Sequence, residues 1–573
     1  MQRLIIGFLA SVGLLALILV VVVGGAAWWL VRSYGEPEPL PATMVLTLDL
    51  GEPLSEARPR DALATLGLQQ PLEVPELVLA LELAGIDPRV QGLVARLDAT
   101  NHGFAIAEEV REAIGRFSRS GKPAVAWADS FGELGPANEG YFIATAFDSI
   151  HLQPGGIVGL TGLIAEIPFV RPLLDRLGIE AQLTRRTEYK TALDSLIEDG
   201  FTEANREMLN DLLDGLYATL VAGIADGRGQ SPEAVARLID SGPLMAEDAL
   251  AAGLVDGLAF RDEVVDRALE AAGPEAELVD LGLYARRTLP AADEARDATI
   301  ALVVGQGAIQ RGSAGLDRLI GADDLAERLS RAREDEAIDA VVLRLDSGGG
   351  SAVASQTIAR AVARLGEAGK PVVVSMGNAA ASGGYWIAMG APHIVARPST
   401  LTGSIGVIAG KPVLAEAWEQ LGVRWESVER GENAAFLSLH QPFDATGRAR
   451  LEANVDALYA RFKEGVAAGR GLSAAEVEAV AQGRVWLGAQ ALEHGLIDEL
   501  GGLPAARAAA VRLLDLPADA AVVMRRYPEP PPAWERLLDL FDQPLIEAAT
   551  TAMAWWRGVS APGPVEVQLP RFR

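Results

Sequence analysis

Short runs of hydrophobic, β-branched residues alternate with amphipathic stretches along most of the chain. Strand-like runs such as VVLRL and PVVVS are apolar throughout, whereas the stretches between them repeat apolar residues at helical spacing. Continuous apolar runs of this length are typical of strands that are covered on both faces. The pattern therefore predicts an α/β fold with a mostly parallel sheet covered by helices.

The same order of elements occurs twice. The segment 92–98 (GLVARLD) returns as 340–346 (AVVLRLD), and GYFIA at Gly140 returns as GYWIA at Gly384. The offset is 248 residues for the first pair and 244 for the second, so short insertions or deletions separate two copies of similar length. We interpret the chain as an internal duplication that forms two tandem domains.

The duplication predicts the domain boundaries. The first repeat domain is expected at 44–290, the second at 298–525, and a Pro-rich joint with an amphipathic tail at 526–573. In each repeat a long helix is expected to end at a Gly-Arg-Gly stop, which begins at Gly227 in one copy and at Gly469 in the other.

The amino end predicts a membrane segment. Residues 4–31 carry no charge and are bracketed by Arg3 and Arg32, a run of 28 residues. This exceeds the roughly 20 residues that cross a hydrocarbon core and the roughly 7–15 of a cleavable signal. We expect an uncleaved signal anchor at 1–34 with both domains outside; cleavage near Ala27 is the alternative.

Composition excludes several classes of site. The net charge of −27 and the pI near 4.7 argue against a nucleic-acid partner, because phosphates would be repelled over most of the surface. The chain of 573 residues contains no cysteine, which removes disulfides, thiolate metal sites and cysteine nucleophiles.

A serine and a glycine loop belong to the second copy alone. Ser382 lies in AASGGYW before a predicted helix, where the first copy has Asn138 in PANEGYF. The loop 346–351 (DSGGGS) follows a buried strand, and its glycine amides can face a carbonyl or a phosphate. A phosphate loop needs a lysine and Ser/Thr after the glycines, and AVASQ follows instead. Both features therefore favour an oxyanion site in the second copy.

A serine nucleophile needs a base. The five histidines are His102, His151, His393, His440 and His494, and none has a carboxylate at a suggestive place in the sequence. A Ser-His-Asp triad remains an alternative that no feature of the sequence supports. The alternative is Lys190 in TEYKTALD, whose counterpart in the second copy is Ala434. A lysine accepts a proton at neutral pH only if burial lowers its pKa from about 10.4, by up to about 3 to 5 units.

These motifs together resemble the signal peptide peptidase A (protease IV) family in its long, tandem-domain bacterial form. The resembling segments are AASGGYWIA around Ser382, PSTLTGSIGV around Ser404, RLDSGGGS around Gly349, YKTA around Lys190, and the N-terminal anchor. The resemblance implies a fold similar to the Clp protease and crotonase superfamily, and a serine protease with a Ser-Lys dyad and neither cofactor nor metal.

The resemblance also implies the role of each residue. Ser382 is expected to be the nucleophile, Lys190 the general base, and Ser404 a residue that orients the lysine. Backbone amides of Gly349 and Gly383 are expected to form the oxyanion hole. The family usually has Asn-Ser-Pro-Gly-Gly where this chain reads DSGGG. The missing proline is expected to loosen the loop, at an entropic cost of about 1 kcal/mol.

Substrate, partners and location follow from the resemblance as well. It implies degradation of signal peptides and other short apolar peptides left in the bacterial inner membrane. It also implies catalytic domains in the periplasm and a homo-oligomer, a tetramer in the family. Two other functions are considered, a non-catalytic peptide-binding membrane scaffold and a crotonase-like acyl-thioester enzyme. The presence of both dyad residues argues against each of them.

Overall fold

The computed structural model describes residues 39–57, 71–133, 135–289, 296–314 and 319–528, together with the single residue Gly25. The predicted anchor at 1–34, except Gly25, lies outside the described residues, and so does the predicted tail beyond 528.

The first repeat contains nine strands and ten helices among the described residues. Its strands are β1 (Met44–Asp49), β2 (Val90–Arg96), β3 (Ala124–Ala128), β4 (Ser149–Leu152), β5 (Ile157–Val158), β6 (Glu180–Arg186), β7 (Leu244–Met245), β8 (Gly257–Leu258) and β9 (Glu277–Asp280). Its helices are α1 (Val74–Ile86), α2 (Phe104–Ser118), α3 (Asn138–Ala144), α4 (Arg171–Arg176), α5 (Asp194–Ile197), α6 (Glu203–Arg228), α7 (Pro232–Ser241), α8 (Ala246–Ala251), α9 (Arg261–Ala272) and α10 (Leu281–Thr288).

The second repeat has the same succession of main elements. Its strands are β10 (Ala298–Gln306), β11 (Ala308–Gln310), β12 (Leu319–Gly321), β13 (Ala340–Ser347), β14 (Val372–Ala381), β15 (His393–Ala396), β16 (Leu401–Gly403), β17 (Val407–Val413), β18 (Val485–Leu487), β19 (Glu499–Leu500) and β20 (Val522–Arg526). Its helices are α11 (Ala322–Glu334), α12 (Ala352–Glu367), α13 (Gly383–Ala388), α14 (Ala415–Gln420), α15 (Ala445–Arg470), α16 (Ala474–Val480), α17 (Gly488–Glu493) and α18 (Leu503–Leu513).

Each repeat is built on one sheet, and the two sheets have the same strand order. The first runs β8-β4-β3-β2-β1-β9 and the second β19-β15-β14-β13-β10-β20, with every neighbouring pair parallel. In the second sheet β16 also pairs with the end of β14, and β18 adds to β16 in antiparallel orientation. The predicted duplication and the predicted parallel α/β architecture are confirmed.

The two long helices, α6 and α15, have 26 residues each and end within the Gly-Arg-Gly motifs that the sequence analysis gave as their stops. They continue through Gly227 and Gly469 and end at the second glycine, Gly229 and Gly471, both in left-handed conformation. The first glycine of each motif serves packing, because a side chain at Gly227 would lie 2.0 Å from the carbonyl oxygen of Thr145. The predicted stops are confirmed, and the second glycine of each motif is the cap.

Among the described residues, only α6 is long and apolar enough to cross a membrane by length and composition. It packs against α3 and α7 of its own repeat and against β18 of the second repeat. We therefore describe α6 as part of the folded protein.

The two repeats share a continuous hydrophobic core. Apolar side chains from β10, β13, β14 and β15 of the second repeat join those of the first repeat in one cluster. Asn378 in β14 links the repeats through its amide, which donates to the carbonyl of His102 (2.8 Å) and accepts from the amide of Ile106 (3.1 Å) at the start of α2. The second sheet is thus covered on one face by a helix of the first repeat.

A buried ion cluster lies in this interface. The guanidinium of Arg344 in β13 contacts Glu56 in a bidentate manner (3.0 and 2.6 Å) and Glu109 of α2 (2.6 Å). It also donates to the hydroxyl of Ser375 (2.9 Å). The three charged side chains are at most 1% exposed.

The two carboxylates respond differently to the single guanidinium they share. Burial raises the pKa of Glu56 to about 7, although Arg344 opposes the shift. Burial also acts to raise the pKa of Glu109, but the charges of Arg344 and Arg397 outweigh it and lower the pKa. Removal of the arginine would leave the buried Glu56 without its ion-pair partner, and would leave Glu109 with the charge of Arg397 but without that of Arg344.

We expect Arg344→Ala to lower the free energy of unfolding by about 3–5 kcal/mol, because it removes the ion-pair partner that the buried carboxylates share. The matched control is Arg96→Ala, the counterpart in the first repeat, whose side chain is 35% exposed. The control should lose less than about 1 kcal/mol, as is usual for exposed ion pairs. Denaturant unfolding monitored by tryptophan fluorescence measures both, and equal losses would contradict the argument.

Candidate active site

An antiparallel ladder between the repeats sets the position of the candidate site. Strand β6 of the first repeat pairs with β17 of the second over seven residue pairs, from Arg186 opposite Val407 to Glu180 opposite Val413. The loop that follows β6 carries Lys190, so the ladder places this loop of the first repeat on the second repeat. The lysine therefore lies in a site formed by both halves of the chain.

The amine of Lys190 lies among the side chains that follow β14 and β16. Its Nζ is 2.9 Å from Oγ of Ser382, 2.8 Å from Oγ of Ser404 and 2.8 Å from the carbonyl oxygen of Ser404. The lysine is 4% exposed. The structure thus brings together three of the residues singled out in the sequence, although Lys190 and Ser382 are separated by 192 positions.

Burial lowers the pKa of Lys190 to about 7. The cause is desolvation, which disfavours the charged ammonium over the neutral amine. With this pKa, about half of the molecules hold a neutral amine at neutral pH. A neutral amine beside a serine hydroxyl can accept its proton.

Residues of the second repeat contact the loop that carries Lys190 and hold it in place. Thr187 donates its hydroxyl hydrogen to the carbonyl of Gln482 (2.8 Å). The next residue, Gly483, has φ +78° and lies so close that a side chain there would be 2.5 Å from the backbone nitrogen of Lys190. The sequence analysis missed Gly483, because the need for a glycine arises only once the loop is packed against it.

Ser382 occupies a sharp turn between β14 and α13. Its backbone has φ 54° and ψ −116°, a conformation that costs a non-glycine residue on the order of 1–3 kcal/mol. Its amide donates to the carbonyl of Gly403 (2.8 Å), and Gly383 begins the helix directly after it. The turn is therefore held in place by the neighbouring strand β16, which leads on to Ser404.

Gly349 approaches the serine turn more closely than any other residue type would allow. Its φ is +110°, and a side chain there would lie 2.8 Å from Cβ of Ser382 and 2.8 Å from the amide nitrogen of Gly383. The amide of Gly349 donates to the hydroxyl of Ser347 (3.1 Å). The two amides expected for an oxyanion hole thus lie near each other, and the partner of one of them, Ser347, was missed in the sequence.

The glycine loop is held in place without a proline. Gly348 stands where the proline was expected, but strand β11 binds the residues that follow it. The amide of Ile309 donates to the carbonyl of Gly349 (2.9 Å), and the amide of Ser351 donates to the carbonyl of Ile309 (2.9 Å). These bonds restrain the loop, so the looseness expected from the missing proline is offset locally.

The corresponding place in the first repeat has a structural role. The amide of Asn138 donates to the carbonyl of Gly162 (2.7 Å), and its oxygen accepts from the amide of Thr161 (3.2 Å). The side chain is buried and both its polar atoms are used. Ala434, the counterpart of Lys190, is exposed in a loop.

The histidines do not form a triad with the serine. Within the described part of the chain, no histidine is hydrogen-bonded to Ser382, whose hydroxyl contacts Lys190. His393 has a carboxylate partner, with Nε2 3.0 Å from Glu499, a contact that the sequence analysis did not foresee. The geometry favours the lysine as the base.

Comparison with known proteins gives a consistent picture. The family model described as peptidase family S49 matches residues 116–274 and 364–516, one stretch in each repeat. The chain is 33% identical over 469 residues to "Serine protease SPPA, chloroplastic" from Arabidopsis thaliana, covering 80% of this chain and 68% of that protein. It is 31% identical over 466 residues to "Protease 4" from Haemophilus influenzae, covering 78% and 74%.

A solved structure gives only a weak match. A ClpP1 mutant from Listeria monocytogenes is 15% identical, with 36% of this chain and 94% of that chain covered at a TM-score of 0.24. This similarity is too low to carry an argument.

The repeated parallel α/β fold, the serine site and these matches define the chain as a serine protease. The family model covers more than half of the sequence, and a stretch of each repeat contributes to the match. The chain belongs to peptidase family S49.

We expect peptidase activity to rise with pH through about 7, because the neutral form of Lys190 increases as the pH passes its lowered pKa of about 7. Values of kcat/KM for a quenched fluorescent peptide, measured from pH 5 to 10, should level off about two units above this pKa. A flat profile between pH 6 and pH 10 would exclude this lysine as the base.

Proposed function

We propose that the protein is a membrane-anchored serine endopeptidase with a Ser-Lys dyad, in which Ser382 is the nucleophile and Lys190 the general base. The single observation that carries the proposal is the 2.9 Å contact between the buried amine and the serine hydroxyl. We retain 44–290 and 298–525 as the domains, each with the Clp protease/crotonase-like fold that the resemblance implies.

The acylation step uses both repeats. The hydroxyl oxygen of Ser382 attacks the carbonyl carbon of a peptide bond, and the neutral amine of Lys190 takes the hydroxyl proton. When the tetrahedral intermediate collapses, the carbon–nitrogen bond breaks and the lysine ammonium returns that proton to the leaving amine. The products of this step are a free peptide amine and an acyl ester on the serine.

The negative charge on the intermediate needs nearby hydrogen-bond donors. We assign this role to the amides of Gly349 and Gly383, since both lie beside the nucleophile. The amide of Gly349 donates to Ser347 in the free protein, so a substrate oxygen must share or replace that partner.

Ser404 is assigned to orient the base. Two of its oxygens, the hydroxyl and the carbonyl, lie 2.8 Å from the amine of Lys190 and fix its direction toward the nucleophile. In the deacylation step the same amine takes a proton from water, which attacks the ester and restores the serine hydroxyl. No cofactor or metal takes part in the proposed reaction.

The proposed substrates are signal peptides and other short apolar peptides left in the membrane. The uncharged segment 4–31 lies outside the described residues, but its length and composition support a single-pass anchor. A tethered protease meets membrane-resident peptides at high effective concentration. We therefore place the protein in the bacterial inner membrane, with its catalytic domains in the periplasm, as a homo-oligomer.

A fluorophosphonate probe tests the dyad. Detergent-solubilised protein should react with the probe, Ser382→Ala should not react, and Lys190→Ala should react about 10²–10⁴-fold more slowly. Lys463→Ala is the matched control, because this partly exposed lysine of α15 pairs with Glu478, and it should react at the parent rate. Equal labelling of all four proteins would refute the dyad. Peptide binding by a chain that never reacts would support the scaffold function.

The anchor is tested in the full chain. Leu17→Arg combined with Val20→Arg places two charges in the middle of the uncharged segment. Each charge raises the free energy of membrane insertion by about 2.5–3.5 kcal/mol. The parent chain should stay with membranes after an alkaline carbonate wash, and the double variant should be released. Equal retention of both proteins would place the membrane attachment elsewhere.

A further inference from the structure

The loop between α14 and α15 exposes more apolar surface than a soluble loop normally does. Several large side chains in it are exposed: Leu421 (73%), Val423 (40%), Trp425 (52%), Val428 (88%), Leu437 (75%) and Leu439 (40%). The first three alternate along the chain, as in a strand with one apolar face. A concentration of exposed apolar side chains in one loop indicates an interaction site.

The duplication shows what this segment corresponds to. Leu421 follows Leu177 by 244 residues, and the same offset places residues 424–430 at the positions of β6. In the first repeat β6 is paired with β17. In the second repeat residues 424–430 have no strand partner within the described chain.

The first repeat contains the complementary unpaired edge. The offset of 244 residues places 163–169 (LIAEIPF) at the positions of β17 (VIAGKPV), with Ile-Ala and Pro shared. These residues form no strand in the described structure, and two of their apolar side chains, Ile164 (76%) and Ile167 (39%), are exposed. Each chain therefore has both halves of a second ladder, and neither half is paired.

We infer that residues 163–169 of one chain pair with residues 424–430 of a second copy, as an antiparallel ladder equivalent to that between β6 and β17. Transferred from the ladder within the chain, the register places Ala165 opposite Val428 and Pro168 opposite Trp425. The most exposed side chain of the loop then meets an apolar partner. This inference rests on the proposed homo-oligomer and specifies its contact, but it does not depend on the catalytic roles.

Such a contact is head-to-tail, because it joins different surfaces of the two chains. Repetition of the contact closes a ring or continues as a filament, and the interface itself is the same in both cases. The intermolecular junction has Asn138 in place of the serine and Ala434 in place of the lysine. Each chain would therefore contribute one complete dyad, whatever the number of subunits.

The absence of cysteine allows a direct test by disulfide trapping. The test variant is Ala165→Cys with Val428→Cys in the full chain, oxidised at low concentration in detergent and analysed on a non-reducing gel. We expect dimers and larger multiples that reduction reverses. Mixing a tagged Ala165→Cys chain with an untagged Val428→Cys chain should give a mixed dimer, which proves that the bond joins two copies.

Two controls make the result decisive. Thr184→Cys with Ala409→Cys occupies the equivalent pair of the ladder within the chain and should form its disulfide without an increase in mass. Ala165→Cys with Ser427→Cys is shifted by one residue, so the two side chains point to opposite faces and should cross-link much less.

The inference is wrong if the control pair within the chain oxidises while the test pair stays at the mass of one chain. It is also wrong if the shifted pair cross-links better than the test pair. A blue shift of fluorescence on addition of lipid vesicles, lost with Trp425→Ala and without any cross-linking, would show that lipid covers this surface instead. Fluorophosphonate labelling of the same samples reports on the dyad separately, so a failed contact and a failed catalytic assignment can be distinguished.

Discussion

The antiparallel ladder between β6 and β17 is the contact on which the active site depends. The ladder joins the two repeats and places Lys190 of the first against the serine turn of the second. The pKa of the lysine is low only while the repeats stay together, since water between them would restore its ordinary value. The shared core and the buried cluster around Arg344 keep the repeats together. The chemistry of the site therefore depends on an interface rather than on a single domain.

The two copies differ at the positions that form the candidate site. The second copy carries Ser382 and the glycine loop, and the first carries Lys190. At the position of Ser382 the first copy has Asn138, whose amide binds the neighbouring loop and holds it in place. This position therefore has a structural role in the first repeat.

Much of the fold could be predicted from the sequence, because apolar strand runs and the internal repeat are local patterns. The meeting of Lys190 and Ser382 was inferred from which residue each copy lacks. The sequence did not reveal the partners of Arg344, since Glu56 and Glu109 lie 288 and 235 positions away from it. The sequence of β6, EAQLTRR, did not indicate that this strand pairs with β17. The sequence around Ile309 did not indicate that this residue binds the glycine loop through its backbone. The contacts of Arg344 and of β6 depend on how the two repeats pack, and the contact of Ile309 depends on the tertiary fold of the second repeat.

The buried lysine also bears on how stable the protein can be. Unfolding returns the amine to water and restores its ordinary pKa, so this side chain favours the unfolded state below that ordinary pKa, most strongly below its lowered pKa of about 7. The strained backbone of the serine acts in the same direction. An apolar side chain in place of the lysine would therefore give a more stable protein. The fold thus carries a cost in stability at Lys190 and Ser382, the two residues whose side chains meet in the candidate site.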